Sequence, residues 1–172
     1  MNFHRQQSIL FYFFMLAATS LSAQTWTELL PSIRQQFPKV QQLSTAQLSQ
    51  WLSSSNRPAP LLIDTRAAEE YAVSHLPEAK RADSVREIQS LITSHRQPVV
   101  LYCSVGYRSS DLATKLIKKG VTNVFNLEGS IFAWANEGRP VFRGQREVKD
   151  VHPYDEKWGQ LLTVPYRTFK PR

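Results

Sequence analysis

Apolar positions along the chain fall into short continuous runs, separated by stretches in which they recur at helical spacing. Leu61-Leu62-Ile63 and the segment from Pro98 to Tyr102 are apolar throughout, the pattern of strands covered on both faces. A brief strand is expected around Val40 and another over 123–127. Helices are expected over 67–74, 84–95, 109–119 and 130–136. The third of these turns Leu112, Leu116 and Ile117 inward, carries lysines in its last turns and stops at Gly120. Ser44 is a good cap for a further helix with Leu48, Trp51 and Leu52 at helical spacing. Residues 25–37 suggest a short amphipathic lead-in helix interrupted by Pro31, and 53–60 a polar, proline-bearing loop. Strands alternating with helices predict an α/β domain with a mainly parallel sheet flanked by helices on both faces. Ligands in such sheets sit beyond the carboxyl ends of the strands, where Asp64 and Cys103 both fall.

A chain of 172 residues holds one ordinary domain with short extensions rather than two full cores. Its 42% hydrophobic and 20% charged residues describe a globular protein, not a disordered one. Near the N-terminus, His4 and Arg5 precede an apolar run from Ile9 to Ala18 and a small, polar stretch ending at Ser22-Ala23. This is the pattern of an export signal over residues 1–23, leading to a periplasmic or secreted location. The run is shorter than the ~20 residues of a spanning helix, so cleavage is favoured over a permanent anchor and no stable membrane span is expected after processing. Leu21 is bulky for the position two before Ala23, which keeps an uncleaved anchor as the alternative.

Losing residues 1–23 would remove Arg5 and take the net charge from +7 to +6. The basic residues are scattered, so nucleic acid is not expected as a partner, and small anions suit this surface better. The four histidines, His4, His75, His95 and His152, form no ligand cluster with the single cysteine, and no metal or other cofactor is implied. A lone cysteine in an exported chain has no internal disulfide partner, so Cys103 is either an inert small hydrophobe or kept for chemistry.

The residues after it favour chemistry. Cys103-Ser104-Val105-Gly106-Tyr107-Arg108-Ser109 lies between the clearest strand and the following helix. A loop curling from strand into helix turns backbone N–H groups inward, and with the helix N-terminus these make an anion cradle. Gly106 permits the curl, and the field of the cradle together with Arg108 favours thiolate over thiol. Such a thiolate can attack the outer sulfur of a donor such as thiosulfate and hold the resulting persulfide.

These residues resemble the rhodanese-like sulfurtransferases over about residues 39–142. Leu61-Leu62-Ile63-Asp64-Thr65-Arg66 with Glu70-Tyr71 is similar to that family's first signature, and Ser74-His75-Leu76-Pro77-Glu78-Ala79 to its second, with Ser74 and Glu78 standing where the family has glycine. The Cys103–Arg108 loop resembles the active-site loop. The stretch Asn123–Leu127, Glu128-Gly129, Trp134 and Glu137–Val141 resembles the closing signature, with Ser130 in place of its second glycine. In that family a six-residue loop marks sulfur transfer, and related phosphatases carry one more residue; Arg108 is sixth counting from Cys103. Ser104 stands where some members have a basic residue, which shifts recognition of an anionic donor to Arg108 and the loop amides.

The resemblance implies a sulfurtransferase that moves sulfane sulfur from a small anionic donor to a thiol or cyanide through a Cys103 persulfide. Ser104, Val105, Gly106, Tyr107, Arg108 and Ser109 would hold the donor, with Ser109 also suited to cap the helix. Asp64 and Arg66 would shape the pocket through an ion pair, and His75 would be architectural rather than a base. Trp134 fits the core. Residues 24–38 and 143–172 flank the resemblance. The latter mixes basic residues with Tyr154, Trp158, Tyr166 and Phe169, and three roles are open to it: packing, lidding the crevice or recruiting a protein partner. Rival functions are a non-catalytic binding module and, less favoured, a phosphatase or arsenate reductase.

Overall fold

The computed structural model describes residues 25–163, 165 and 167–171, so the expected export signal lies outside the described residues. Five parallel strands form the central sheet in the order β1-β5-β4-β2-β3. They are β1 (Gln41–Leu43), β2 (Leu61–Asp64), β3 (Lys80–Arg81), β4 (Val99–Tyr102) and β5 (Val124–Leu127). Every residue of β2 and β4 is buried, as their unbroken apolar runs require of strands covered on both sides.

Helix α1 (Trp26–Gln36) precedes the sheet, and α2 (Thr45–Leu52), α3 (Ala68–Val73), α4 (Val85–Leu91), α5 (Tyr107–Lys118) and α6 (Ser130–Asn136) follow successive strands. The connections β1→β2 and β2→β3 run one way across the sheet, and β3→β4 and β4→β5 run the other. Right-handed crossovers therefore send α2 and α3 to one face and α4 and α5 to the opposite face. Helix α4 packs on α5, and α2 on α6.

Local chemistry explains most boundaries. Ser44 accepts the Gln47 N–H at 3.1 Å while the Gln47 side chain accepts the Ser44 N–H at 2.9 Å, a reciprocal cap that starts α2. Helix α4 ends at Leu91, short of the expected 95, because Ile92 turns extended. Pro31 does not interrupt α1. The helix runs through it, giving up one backbone bond, because Leu29 and Ile33 bury one face on the core.

Both flanks of the expected domain join that core. Phe37 from the N-terminal side and Val151, Leu161 and Leu162 from the C-terminal side are buried in the cluster around the sheet. After α6 the chain forms a hairpin of β6 (Val141–Arg143) and β7 (Arg146–Val148), then a short helix α7 (Glu156–Gly159). The hairpin docks on the segment after α3 by two backbone bonds of 2.8 Å between His75 and Phe142.

Candidate active site

Cys103 is the first residue after β4, at the carboxyl end of the sheet beside the end of β2, where Asp64 lies opposite Tyr102. The loop from Cys103 to Gly106 is anchored from below by α6. The Ser130 hydroxyl accepts the Cys103 N–H at 3.1 Å and donates to Leu127 O at 3.0 Å. The Ile131 and Phe132 amides donate to the carbonyls of Cys103 and Ser104 at 3.2 and 3.1 Å. With those carbonyls drawn toward α6, later amides of the loop are left facing the sulfur: Gly106 N–H donates to Cys103 Sγ at 3.1 Å. Gly106 adopts φ +110° at the N-cap of α5, a conformation that glycine takes without a Cβ clash. Ser130 itself sits at φ +53°, and its two hydrogen bonds hold it there where a second glycine would have fitted more easily.

Helix α5 therefore begins at Tyr107 rather than Ser109. Ser109 is not its cap. It lies fully buried in the first turn, its hydroxyl donating to Asn126 Oδ1 at 2.6 Å. Asn126 in turn donates to Gln42 Oε1 at 2.7 Å, which ties the base of the loop across β5 to β1.

A cavity of about 370 Å³ opens beside the loop. Cys103 is only 1% exposed, yet it lines this space together with Ser104, Val105, Tyr107 and Arg108 of its own loop and helix. Leu29 and Ser32 from α1 form one further wall, and Tyr154 and Trp158 from the C-terminal stretch form another. Tyr107 is steadied by an edge-on contact with Phe37 at 5.3 Å and by a 2.7 Å hydrogen bond from Gln36. The C-terminal stretch thus both packs and walls the crevice.

Arg108 does not stand free to meet an anion. Its guanidinium makes a bidentate pair with Glu70 at 2.8 and 2.9 Å, adds a 3.0 Å bond to the Ser104 hydroxyl, and lies under the Tyr154 ring at 4.7 Å. Ser104 completes the triangle by donating to Glu70 Oε1 at 3.1 Å, so its hydroxyl is engaged within the protein. Glu70 is 2% exposed and also accepts the Ala67 N–H at 3.0 Å, capping α3. It stands in the first of the quoted signature segments, where the sequence alone gives it no role. Its placement three residues after Ala67 is the only sequence signal for the cap, and nothing local announces Arg108 as its partner.

The electrostatics follow from these contacts. Burial pushes the Cys103 thiol up, and the Arg108 charge with the donors of Ser109 and Gly106 more than offsets that, leaving the thiol below its ordinary value. With the Ser109 hydroxyl donating to Asn126, the Ser109 and Gly106 amides are the donors left for the sulfur. Burial raises the Glu70 carboxyl as well, but the bonds from Arg108 and Ala67 hold it below the usual carboxylate range, so it is ionised at neutral pH.

Asp64, Arg66 and His75 lie outside the cavity wall. Asp64 and Arg66 form a fully buried ion pair at 2.7 Å, and Arg66 Nη2 donates to Ser74 O at 2.6 Å, fastening the end of β2 to the end of α3. His75 stacks on Tyr71 at 4.4 Å, and its Nδ1 donates to Leu76 O at 2.9 Å. All three belong to the frame around the site, and none of them lines the cavity. Trp134 is buried, with its Nε1 donating to Pro140 O at 2.9 Å.

Comparison with known proteins places this geometry in a class. The rhodanese-like domain family model matches residues 44–137, more than half of the chain, and the chain belongs to that family. A sulfurtransferase from Allochromatium vinosum is 32% identical over 103 residues, covering 59% of this chain and 94% of that protein. A tRNA uridine(34) hydroxylase from Photorhabdus laumondii subsp. laumondii is 27% identical over 128 residues, 70% of this chain but 36% of the relative, so the chain spans about a third of that protein's length. The fold also matches the crystal structure of a thiosulfate sulfurtransferase from Pseudomonas aeruginosa with a TM-score of 0.59 at 19% identity, covering 67% of this chain and 22% of that one. The mostly parallel five-stranded sheet with helices around it is the rhodanese-like fold.

Proposed function

We propose that the protein is a sulfurtransferase in which Cys103 accepts a sulfane sulfur and passes it on. The observation that carries this reading is Cys103 itself, which lines a cavity of about 370 Å³ with its sulfur held at 3.1 Å by the Gly106 amide and its acidity raised by Arg108. In the loading step the thiolate attacks the outer sulfur of the donor. An Sγ–S bond forms, the donor's S–S bond breaks, and the electron pair leaves with the remainder of the donor. With thiosulfate the products are the Cys103 persulfide anion and sulfite. An acceptor thiolate or cyanide then attacks the same outer sulfur and releases the Cys103 thiolate.

The loop amides suit both states, because the negative charge stays on sulfur throughout. The sulfurtransferase name of the Allochromatium relative supports this reading. The hydroxylase-named relatives share only this segment and give no reason to assign hydroxylation here.

The purified protein incubated with sulfane donors is expected to gain the mass of one sulfur atom and to lose it to cyanide as thiocyanate. Cys103→Ser is expected to abolish both. Absence of loading from every donor would reject the reading. The N-terminal pattern leads us to infer export as well, and fractionation of cells producing the tagged chain tests it: recovery in the cytosol alone would overturn that inference.

A further inference from the structure

The charge and shape of the cavity bear on which sulfur carrier it takes. Arg108 is the one cation among the described residues that line it, and Glu70 already neutralises it through two hydrogen bonds. The Tyr154 ring, which also lines the cavity, lies 4.7 Å from the same guanidinium. A dianion placed against the thiolate would meet the loop amides but no uncompensated positive side chain, which leaves much of the cost of stripping its water unrepaid.

The walls suit a different guest. Leu29, Val105, Tyr107, Tyr154 and Trp158 offer aliphatic and aromatic surface, and about 370 Å³ falls in the roughly 300–1,000 Å³ range of organic-ligand sites. A small inorganic anion would fill little of it. Three of those walls, Leu29, Tyr154 and Trp158, lie outside residues 44–137, the span that the family model matches. Tyr154 holds φ +67°, a conformation unfavourable for an aromatic residue, in the position that sets its ring over Arg108.

We propose, resting on the sulfurtransferase reading, that the carrier accepted here is an organosulfur compound with an aryl or alkyl group and at most one negative charge. Its apolar group occupies the cavity walled by α1 and the Tyr154–Trp158 segment while its sulfane sulfur meets Cys103. A thiosulfonate serves as the probe. The Cys103 thiolate takes its outer sulfur, the S–S bond breaks, and the sulfinate departs with the electron pair, so charge and atoms balance without any oxidant.

Loading of Cys103 is followed by time-resolved intact mass with benzenethiosulfonate, methanethiosulfonate and thiosulfate at equal concentration. The phenyl compound is expected to load at least about tenfold faster than the methyl compound, with thiosulfate slowest. Tyr154→Asn and Trp158→Ala are expected to bring the phenyl-to-methyl ratio toward one. Asparagine tolerates positive φ and Tyr154 is 46% exposed, so the first variant keeps the test available if the second fails to fold. Comparing one ratio across proteins cancels differences between leaving groups. A wild-type ratio near one, thiosulfate loading fastest, or a ratio unmoved in every variant that folds would overturn the inference while leaving sulfur transfer intact. Failure of all three donors to load Cys103 would overturn sulfur transfer itself, and this inference with it.

Discussion

Cys103 and Glu70 compete for a single guanidinium. The thiolate gains from Arg108, and Glu70 takes most of that charge for itself at 2.8 and 2.9 Å. Arg108→Gln removes the cation and leaves the Glu70 carboxylate unneutralised against Ser104 of the same loop, so both changes disfavour thiolate. The pH midpoint for alkylation of Cys103 by iodoacetamide is expected to rise. Glu70→Gln acts in the opposite sense and lowers it. The second substitution also breaks a pair whose carboxylate is buried but whose guanidinium reaches solvent, so the stability lost, read by urea unfolding, should fall below the about 3–5 kcal/mol of a fully buried pair. Because the folded thiol lies below its ordinary value, its contribution to stability is present above the unfolded value and lost as pH falls through the folded one. Cys103→Ser should flatten the pH dependence of stability across that window. At this scale the closeness of Cys103 and Arg108 was legible, since both lie in one short loop, whereas the expected pairing of Arg108 with a donor gave way to Glu70. The Glu70 partnership was not, because 38 residues separate it from Arg108 and no periodicity records a tertiary ion pair.

Among elements, the turn into α5 is where local sequence and geometry part. Serine is a common cap and Ser109 invites that reading, but Gly106 starts the helix at φ +110° and moves Ser109 into the first turn. A Cβ on Gly106 would approach Asn126 Nδ2 to 3.2 Å in a conformation alanine disfavours. Gly106→Ala is therefore expected to cost about 1–3 kcal/mol in thermal or urea unfolding. It should also slow sulfur loading by turning away the amide that holds Sγ. The longer elements were readable because β2, β4 and α6 combine apolar runs with clear breakers. Strand β3 has two residues, and each strand of the β6–β7 hairpin three, too few for an alternating pattern to emerge. They exist because neighbours supply their pairing, as Ile63 and Asp64 do for Lys80 and Arg81.

Across the whole molecule, the class of fold followed from alternation of strands and helices, whereas the extent of the cooperative unit did not. The family resemblance ends near residue 142, yet Val151, Leu161 and Leu162 are buried in the same core as the sheet. Their spacing shows neither a helix nor a strand, and only contact with distant residues reveals that they are interior. Leu162→Ala, fully buried, is expected to destabilise the protein by about 2–5 kcal/mol in urea, a loss that a loosely attached tail would not produce. The roof over the sulfur has a further consequence for biosynthesis. Translation delivers Cys103 and its loop well before Tyr154 and Trp158, so a partly made chain carries the thiol with one wall of its cavity missing. If Cys103 carries sulfur as proposed, the cavity around it is complete only once that segment has packed.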